Sequence, residues 1–268
     1  MNINELIENE IENGYSNADA QAKVCQDIIL KAISESSLSR NVTVKGGVVM
    51  RSKSGSLRRA TQDLDIDFIK YSLTDEAVND FINKLNCIDG LTITRVGEIK
   101  ELKQQDYRGK RVYVEIRDEE GSAITNKLDI GVHNRLDIEQ EEYCFEMDFD
   151  NEGASLLINS NEQMFTEKLK SLLRLGAITT RYKDVYDLYY LCGEVNRDKL
   201  KMCLAEYIYD DSQMKENDVR GVVRRVETVF NNSSFLMRLQ SSYSNWIDED
   251  VNKITDEIIN FLKELESE

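Results

Sequence analysis

The alternation Asp63-Leu64-Asp65-Ile66-Asp67-Phe68 constrains this chain more than any other stretch. Successive side chains of a strand point to opposite faces, so the three aspartates share one face and Leu64, Ile66 and Phe68 share the other. One side builds a core while the other gathers negative charge. Carboxylates this close raise one another's pKa unless a cation joins them. Hard divalent cations such as Mg²⁺ prefer carboxylate oxygens, usually one or two from the protein plus substrate phosphates. The expectation is a metal site at the start of a strand.

What lies upstream suits a phosphate. A short apolar strand over 41–45, with Val42 and Val44, runs into Gly46-Gly47 and a short helix near Val48 to Arg51. Paired glycines let the backbone approach a ligand closely, and a helix N-terminus points free N–H groups at an anion. Arg51, Lys53, Arg58 and Arg59 fill the interval before Asp63. They make either a solvated loop or a clamp for a triphosphate or an RNA backbone.

Inventory excludes several chemistries. His133 is the one histidine, so neither a histidine dyad nor a multi-histidine metal site is available. The five cysteines are scattered with no CxxC pair, which argues against a disulfide framework and a thiolate zinc site. A net charge of −16 repels a polyanion at long range but leaves room for a local basic patch. No apolar run approaches the ~20 residues needed to cross a bilayer. The first residues also lack the positive flank and apolar centre of a signal peptide, so a cytoplasmic protein without a membrane partner is expected.

Periodicity gives the organisation. Helices are expected over 3–12, over 17–36 with Asn17 as N-cap, and over 74–86 opened by Thr74. Strands follow near 91–96, 99–107 and 111–117, then a turn at Asp118 to Gly121 and a return strand over 122–132. In that strand Asp129 sits between Leu128 and Ile130, either as an edge charge or beside Asp63 and Asp65. From 161 the pattern is helical: 161–175 carries Glu167 and Lys168 beside an apolar face, and 181–191 carries Asp184 and Asp187 one turn apart. Either of those acids is able to face a cleft. Further helices are expected over 197–209, 215–231, 233–245 and 247–267, with Trp246 as a core anchor. The fold class is α+β, with a mixed sheet and flanking helices in a domain over 1–155 and an all-helical domain over 156–268.

The ordered set of a strand, Gly46-Gly47, a basic stretch and Thr61-Gln62-Asp63-Leu64-Asp65 resembles the nucleotidyltransferase fold. Asp129, then Glu167-Lys168-Leu169, then Arg181 and Lys183-Asp184-Val185-Tyr186-Asp187-Leu188 narrow the likeness to the AbiEii/AbiGii toxin family, which includes the MenT-type toxins. The resemblance implies a toxin of a bacterial toxin–antitoxin or phage-defence system that moves a nucleotide from an NTP to RNA, with the tRNA 3′ end as acceptor. It implies Mg²⁺ or Mn²⁺ on Asp63, Asp65 and Asp129, and NTP contacts from Gly46, Gly47, Arg51, Thr61, Lys168, Arg181 and Lys183. Asp129 would also be the base, Lys168 and Asp184 would contribute to the cleft, and Asp184 or Asp187 would be the helical acid needed for activity. A cognate antitoxin is the further partner implied, its direct binding left open. Many such enzymes carry Gly-Ser where this chain has Gly-Gly-Val, so phosphate contact would rest on backbone N–H groups and basic side chains.

Two other readings compete. A small-molecule or protein hydroxyl is an alternative acceptor, and an acidic body suits a cationic antibiotic. Whether Lys100, Lys103, Arg108, Lys110 and Arg111 extend the site's surface bears on that choice. The other is a module that binds NTP without turnover, which intact Asp63, Asp65 and Lys168 count against.

Overall fold

A computed structural model describes residues 1–104, 107–134 and 138–267. The chain divides into two compact units, Met1–Asn159 and Ser160–Glu268.

In the first unit seven strands form one mixed sheet: β1 (Val42–Lys45), β2 (Asp63–Phe68), β3 (Leu91–Gln104), β4 (Tyr107–Asp118), β5 (Ala123–Val132), β6 (Glu141–Met147) and β7 (Asp150–Ile158). Their spatial order is β3-β4-β5-β2-β1-β7-β6. Strand β2 is therefore central, antiparallel to β1 and parallel to β5. The segments expected as separate strands at 91–96 and 99–107 join, as far as Gln104, in one strand, β3, whose register shifts between Val96 and Lys100; residues 105 and 106 lie outside the described residues, and Tyr107 opens β4. Strands β6 and β7, which the sequence reading did not assign, complete the sheet beyond β1.

Each central strand alternates, and the alternation sorts the sheet into two unlike faces. Val44, Leu64, Ile66, Phe68, Val112, Val114, Leu128 and Ile130 are completely buried on one of them. Each contributes roughly 1.5–3 kcal/mol by leaving water. Helix α2 (Asn17–Glu35) lies on this face, where Asn126 donates its amide to Ala22 O, and α4 (Asp75–Lys84) sets Phe81 edge-on against Phe68. Helix α1 (Ile3–Glu12) packs on α2. Ser16, not Asn17, caps α2, because its hydroxyl accepts from the Asp19 N–H. Thr74 caps α4 as expected.

The second unit is helical: α5 (Asn161–Leu175), α6 (Tyr182–Cys192), α7 (Arg197–Leu204), α8 (Val219–Phe230), α9 (Ser233–Ser241) and α10 (Val251–Ser267). Ser160 and Gln163 close a reciprocal capping box at the start of α5, satisfying two end groups of the helix. Phe165, Leu169, Leu188, Leu191, Val226, Ile254, Ile258 and Leu262 make its core. Among the described residues no helix is long and apolar enough to cross a membrane.

Candidate active site

The second face of the sheet is polar. Parallel pairing of β2 with β5 sets Asp63 opposite Lys127 and Asp65 opposite Asp129, while β1 brings Lys45 opposite Asp65. Strand β4 adds Arg111 opposite Asp129 and Tyr113 opposite Lys127. Four carboxylates thus meet three cations on one surface.

Most of these acids are paired. Lys127 Nζ lies 2.6 Å from Asp63 Oδ2. Lys45 Nζ lies 2.7 Å from Asp67 Oδ1 and 2.8 Å from its Oδ2. Arg111 donates Nε and Nη2 to the two oxygens of Asp129, each at 2.7 Å, the bidentate fit that a planar guanidinium favours. Asp65 differs. Among the described residues no hydrogen bond or ion pair reaches its carboxylate, and burial pushes its pKa up to about 6, with Lys45 opposing and Asp129, Asp63 and Asp67 adding to the rise.

The glycine pair lies against these acids. Gly46 has φ +70°, and a Cβ there would stand 2.7 Å from Asp65 Oδ2. A Cβ on Gly47 would stand 2.5 Å from Thr61 Oγ1. Only glycine fits either place, so the turn touches Thr61 and Asp65 directly. Gly46 is also the N-cap of α3 (Gly47–Ser54) and offers no side-chain hydrogen bond. The first-turn N–H groups of that helix thus have no side-chain cap.

Arg51, expected among the triphosphate contacts, has its guanidinium bonded to α2. It is buried one turn along α3, with Nη1 2.5 Å from Gln26 Oε1 and Nη2 3.0 Å from Asp27 Oδ1. Asp27 and Gln26 of α2 hold it there, and Asp27 in turn shares Lys23 with Glu10 of α1. Arg111 and exposed Lys100 are in register on the acid face, whereas Lys110 lies on the opposite face with Asp75 and Glu101. The side chains of Lys103 and Arg108 lie outside the described residues.

In the second unit Lys168, Asp184 and Asp187 come together. Lys168 Nζ stands 2.7 Å from Asp187 Oδ2 and 3.2 Å from Asp184 Oδ1. Asp187 is wholly buried and also accepts from Trp246 Nε1 at 3.0 Å. Trp246 is the expected core anchor, with a polar tip that the sequence did not reveal. Arg181 precedes α6, with Nη1 3.4 Å from Ser171 Oγ and 3.8 Å from Asp184 Oδ2. Lys183 is exposed on α6.

The residues missed by sequence reasoning are Lys45, Lys127 and Tyr113. Their only signal was strand parity: each sits an even number of places from an acid-face residue on its own strand.

Residues 28–264 match the family described as "Nucleotidyl transferase AbiEii toxin, Type IV TA system". The chain belongs to this family. It is accordingly a nucleotidyltransferase of the AbiEii toxin group. No curated protein matches it. Among solved structures, it is similar to the crystal structure of ANT(2″)-Ia in complex with adenylyl-2″-tobramycin, at 16% identity and a TM-score of 0.43, over 70% of this chain and 96% of that one. The solution structure of the antibiotic-resistance factor ANT(2″)-Ia is similar at 14% identity and a TM-score of 0.43, over 71% of this chain and 92% of that one.

Among the described residues no three His, Cys, Asp or Glu side chains form a group fit to hold a metal ion as they stand. Arg111 occupies both oxygens of Asp129, the third acid of the expected set. The unpaired Asp65 and the half-exposed Asp63 still offer hard oxygen donors, and substrate phosphates normally complete such a sphere. That donor pair fits Mg²⁺ or Mn²⁺.

Proposed function

We propose that this AbiEii-family enzyme transfers a nucleotide from an NTP to RNA, with the tRNA 3′ end as acceptor, and so blocks translation as the toxin of a toxin–antitoxin or phage-defence pair. The observation that carries the reading is the unpartnered Asp65 carboxylate leaning over Gly46, beside Asp63. In such a transfer the acceptor hydroxyl oxygen bonds to the α-phosphorus, the bond from that phosphorus to the bridging oxygen breaks, and pyrophosphate leaves. The protein's task is mainly positioning and charge neutralisation.

Asp63 and Asp65 would hold Mg²⁺ or Mn²⁺, which supplies charge neutralisation to the triphosphate when bound. The N–H groups at the start of α3 receive phosphate oxygens, with Gly46 and Gly47 leaving them room. Thr61 fixes the turn by packing on Gly47. Lys127, drawn off Asp63, becomes available to the departing phosphates as a point charge. Asp129 is oriented by Arg111 and accepts the proton of the acceptor hydroxyl. Lys168, Arg181 and Lys183 are kept as nucleotide contacts on the family resemblance alone; within the helical unit Asp184 and Asp187 hold Lys168.

Tyr113 and Lys100 favour a polynucleotide acceptor. Tyr113 is 38% exposed on the acid face, and a ring there offers a base a stacking surface worth about 1–3 kcal/mol. Lys100 extends the same face with positive charge.

The test is to incubate the full chain with Mg²⁺ and total cellular RNA, offering each radiolabelled NTP in turn beside Asp63→Ala. Label in a tRNA-sized band only with the unaltered protein supports the reading. Label that persists in Asp63→Ala removes the acid-pair mechanism, and label on a small molecule or protein instead of RNA replaces the acceptor.

A further inference from the structure

We infer that Gln26, with Arg51 and Asp27, is a positioning device that fixes the Gly46-Gly47 turn relative to Asp63; the inference rests on the nucleotidyl-transfer reading of that face. Gln26 is wholly buried in α2. Its amide nitrogen donates to Thr61 O at 2.9 Å and to Asp63 O at 3.4 Å, the carbonyls on either side of Gln62. Its amide oxygen accepts from Arg51 Nη1 at 2.5 Å, and Arg51 lies one turn beyond Gly47 on α3. One side chain therefore ties the entry to the acid strand and the helix behind the glycine turn to the same point of α2.

The tie is backed by charge. Arg51 Nη2 donates to Asp27 Oδ1, Asp27 Oδ2 accepts from Lys23, and Lys23 also reaches Glu10 of α1 at 2.5 Å. Gln26, Asp27, Arg51 and Glu10 are all buried. Burying such groups gains little stability over apolar side chains of similar volume, so a packing role alone does not account for them. Hydrogen bonds do what apolar contacts do not, because they prescribe direction as well as distance. Thr61 completes the linkage by filling the place of the missing Gly47 Cβ. A displacement of ~1 Å between phosphate cradle and metal-binding acid is enough to lower a transfer rate on the order of a hundredfold.

Full-length Gln26→Leu, Gln26→Glu, Arg51→Met and Arg51→Lys are compared with the unaltered protein by steady-state label transfer to total RNA at varied NTP, with thermal unfolding alongside. Positioning lowers kcat about 10–100-fold in Gln26→Leu and Arg51→Met while KM for the NTP stays within about threefold. Gln26→Glu keeps the acceptor for Arg51 but loses the donor to both carbonyls, and it is also slow. Arg51→Lys recovers part of the rate lost in Arg51→Met. A raised KM with unchanged kcat in Arg51→Met overturns the inference, since it makes Arg51 a triphosphate ligand. So does a lower unfolding temperature with full activity per folded molecule, which is a purely structural role. Should Gln26→Leu not fold, Gln26→Glu and Arg51→Lys carry the same comparison. An unaltered protein that labels nothing overturns the transfer reading and the inference together; an active one with unimpaired Gln26 variants overturns the inference alone.

Discussion

Two clusters of aspartate in this chain are buried on opposite terms. In the helical unit Asp187 is wholly enclosed, yet Lys168 and Trp246 satisfy it. On the sheet face Asp65 is partly enclosed with no such partner, and its pKa stands near 6. A buried acid with its charge met is part of the framework. A buried acid left unmet is a store of unfavourable energy, which persists where a ligand relieves it. Asp187 therefore supports the fold and Asp65 opposes it.

Substitution separates the two most widely. Asp65→Asn lowers nucleotide transfer on the order of 10²–10³-fold, the scale for removing a group that meets charge in the transition state. Asp187→Ala leaves Lys168 and the Trp246 N–H short of their shared partner and destabilises the protein by about 3–5 kcal/mol in a urea titration. Equal losses of stability in both variants would erase the contrast.

The pH dependence sharpens it. A carboxyl whose folded pKa is raised binds its proton more tightly in the folded chain, so Asp65's stabilising contribution is present below pH ~4 and lost as pH rises through about 6. Relative to the unaltered protein, Asp65→Asn gains up to roughly 3 kcal/mol between pH 4 and pH 7, a difference read from denaturation at both pH values. Mg²⁺ should narrow that gap at pH 7 by stabilising only the unaltered protein.

Smaller effects fall on the rim of the acid face. Tyr113→Ala weakens acceptor affinity about tenfold in a filter-binding titration with the NTP KM unmoved, as expected for loss of a stacking ring. Lys127→Met changes stability by less than about 1 kcal/mol, because its partner Asp63 is 41% exposed and water screens the pair. A large loss of stability there would mean that Lys127 belongs to the framework.

The acid strand was legible because alternation is local: Asp63 to Phe68 states its own two faces. The partners of those acids were not, since Lys127 and Arg111 reach them only through strand register, which sequence spacing does not encode. Strands β6 and β7 escaped notice for a different reason. Glu141, Glu142 and Glu146 put charge along an edge strand, a pattern that protects an edge and reads as a loop. Gly153, at φ +65°, interrupts the alternation of β7 before Ala154, Leu156 and Ile158 resume it. Arg51 fell within a basic run that suggested phosphate, while the acid and amide that claim it, Asp27 and Gln26, lie on α2. Asp184 and Asp187, equivalent by spacing, differ once Trp246 is seen to close over the second.

The most direct measurement is to follow unfolding and nucleotide transfer together in Asp65→Asn at pH 7 to 8. The account predicts a protein that is more stable than the unaltered chain and nearly inactive. A variant that is less stable, or that still transfers label at the full rate, would contradict it.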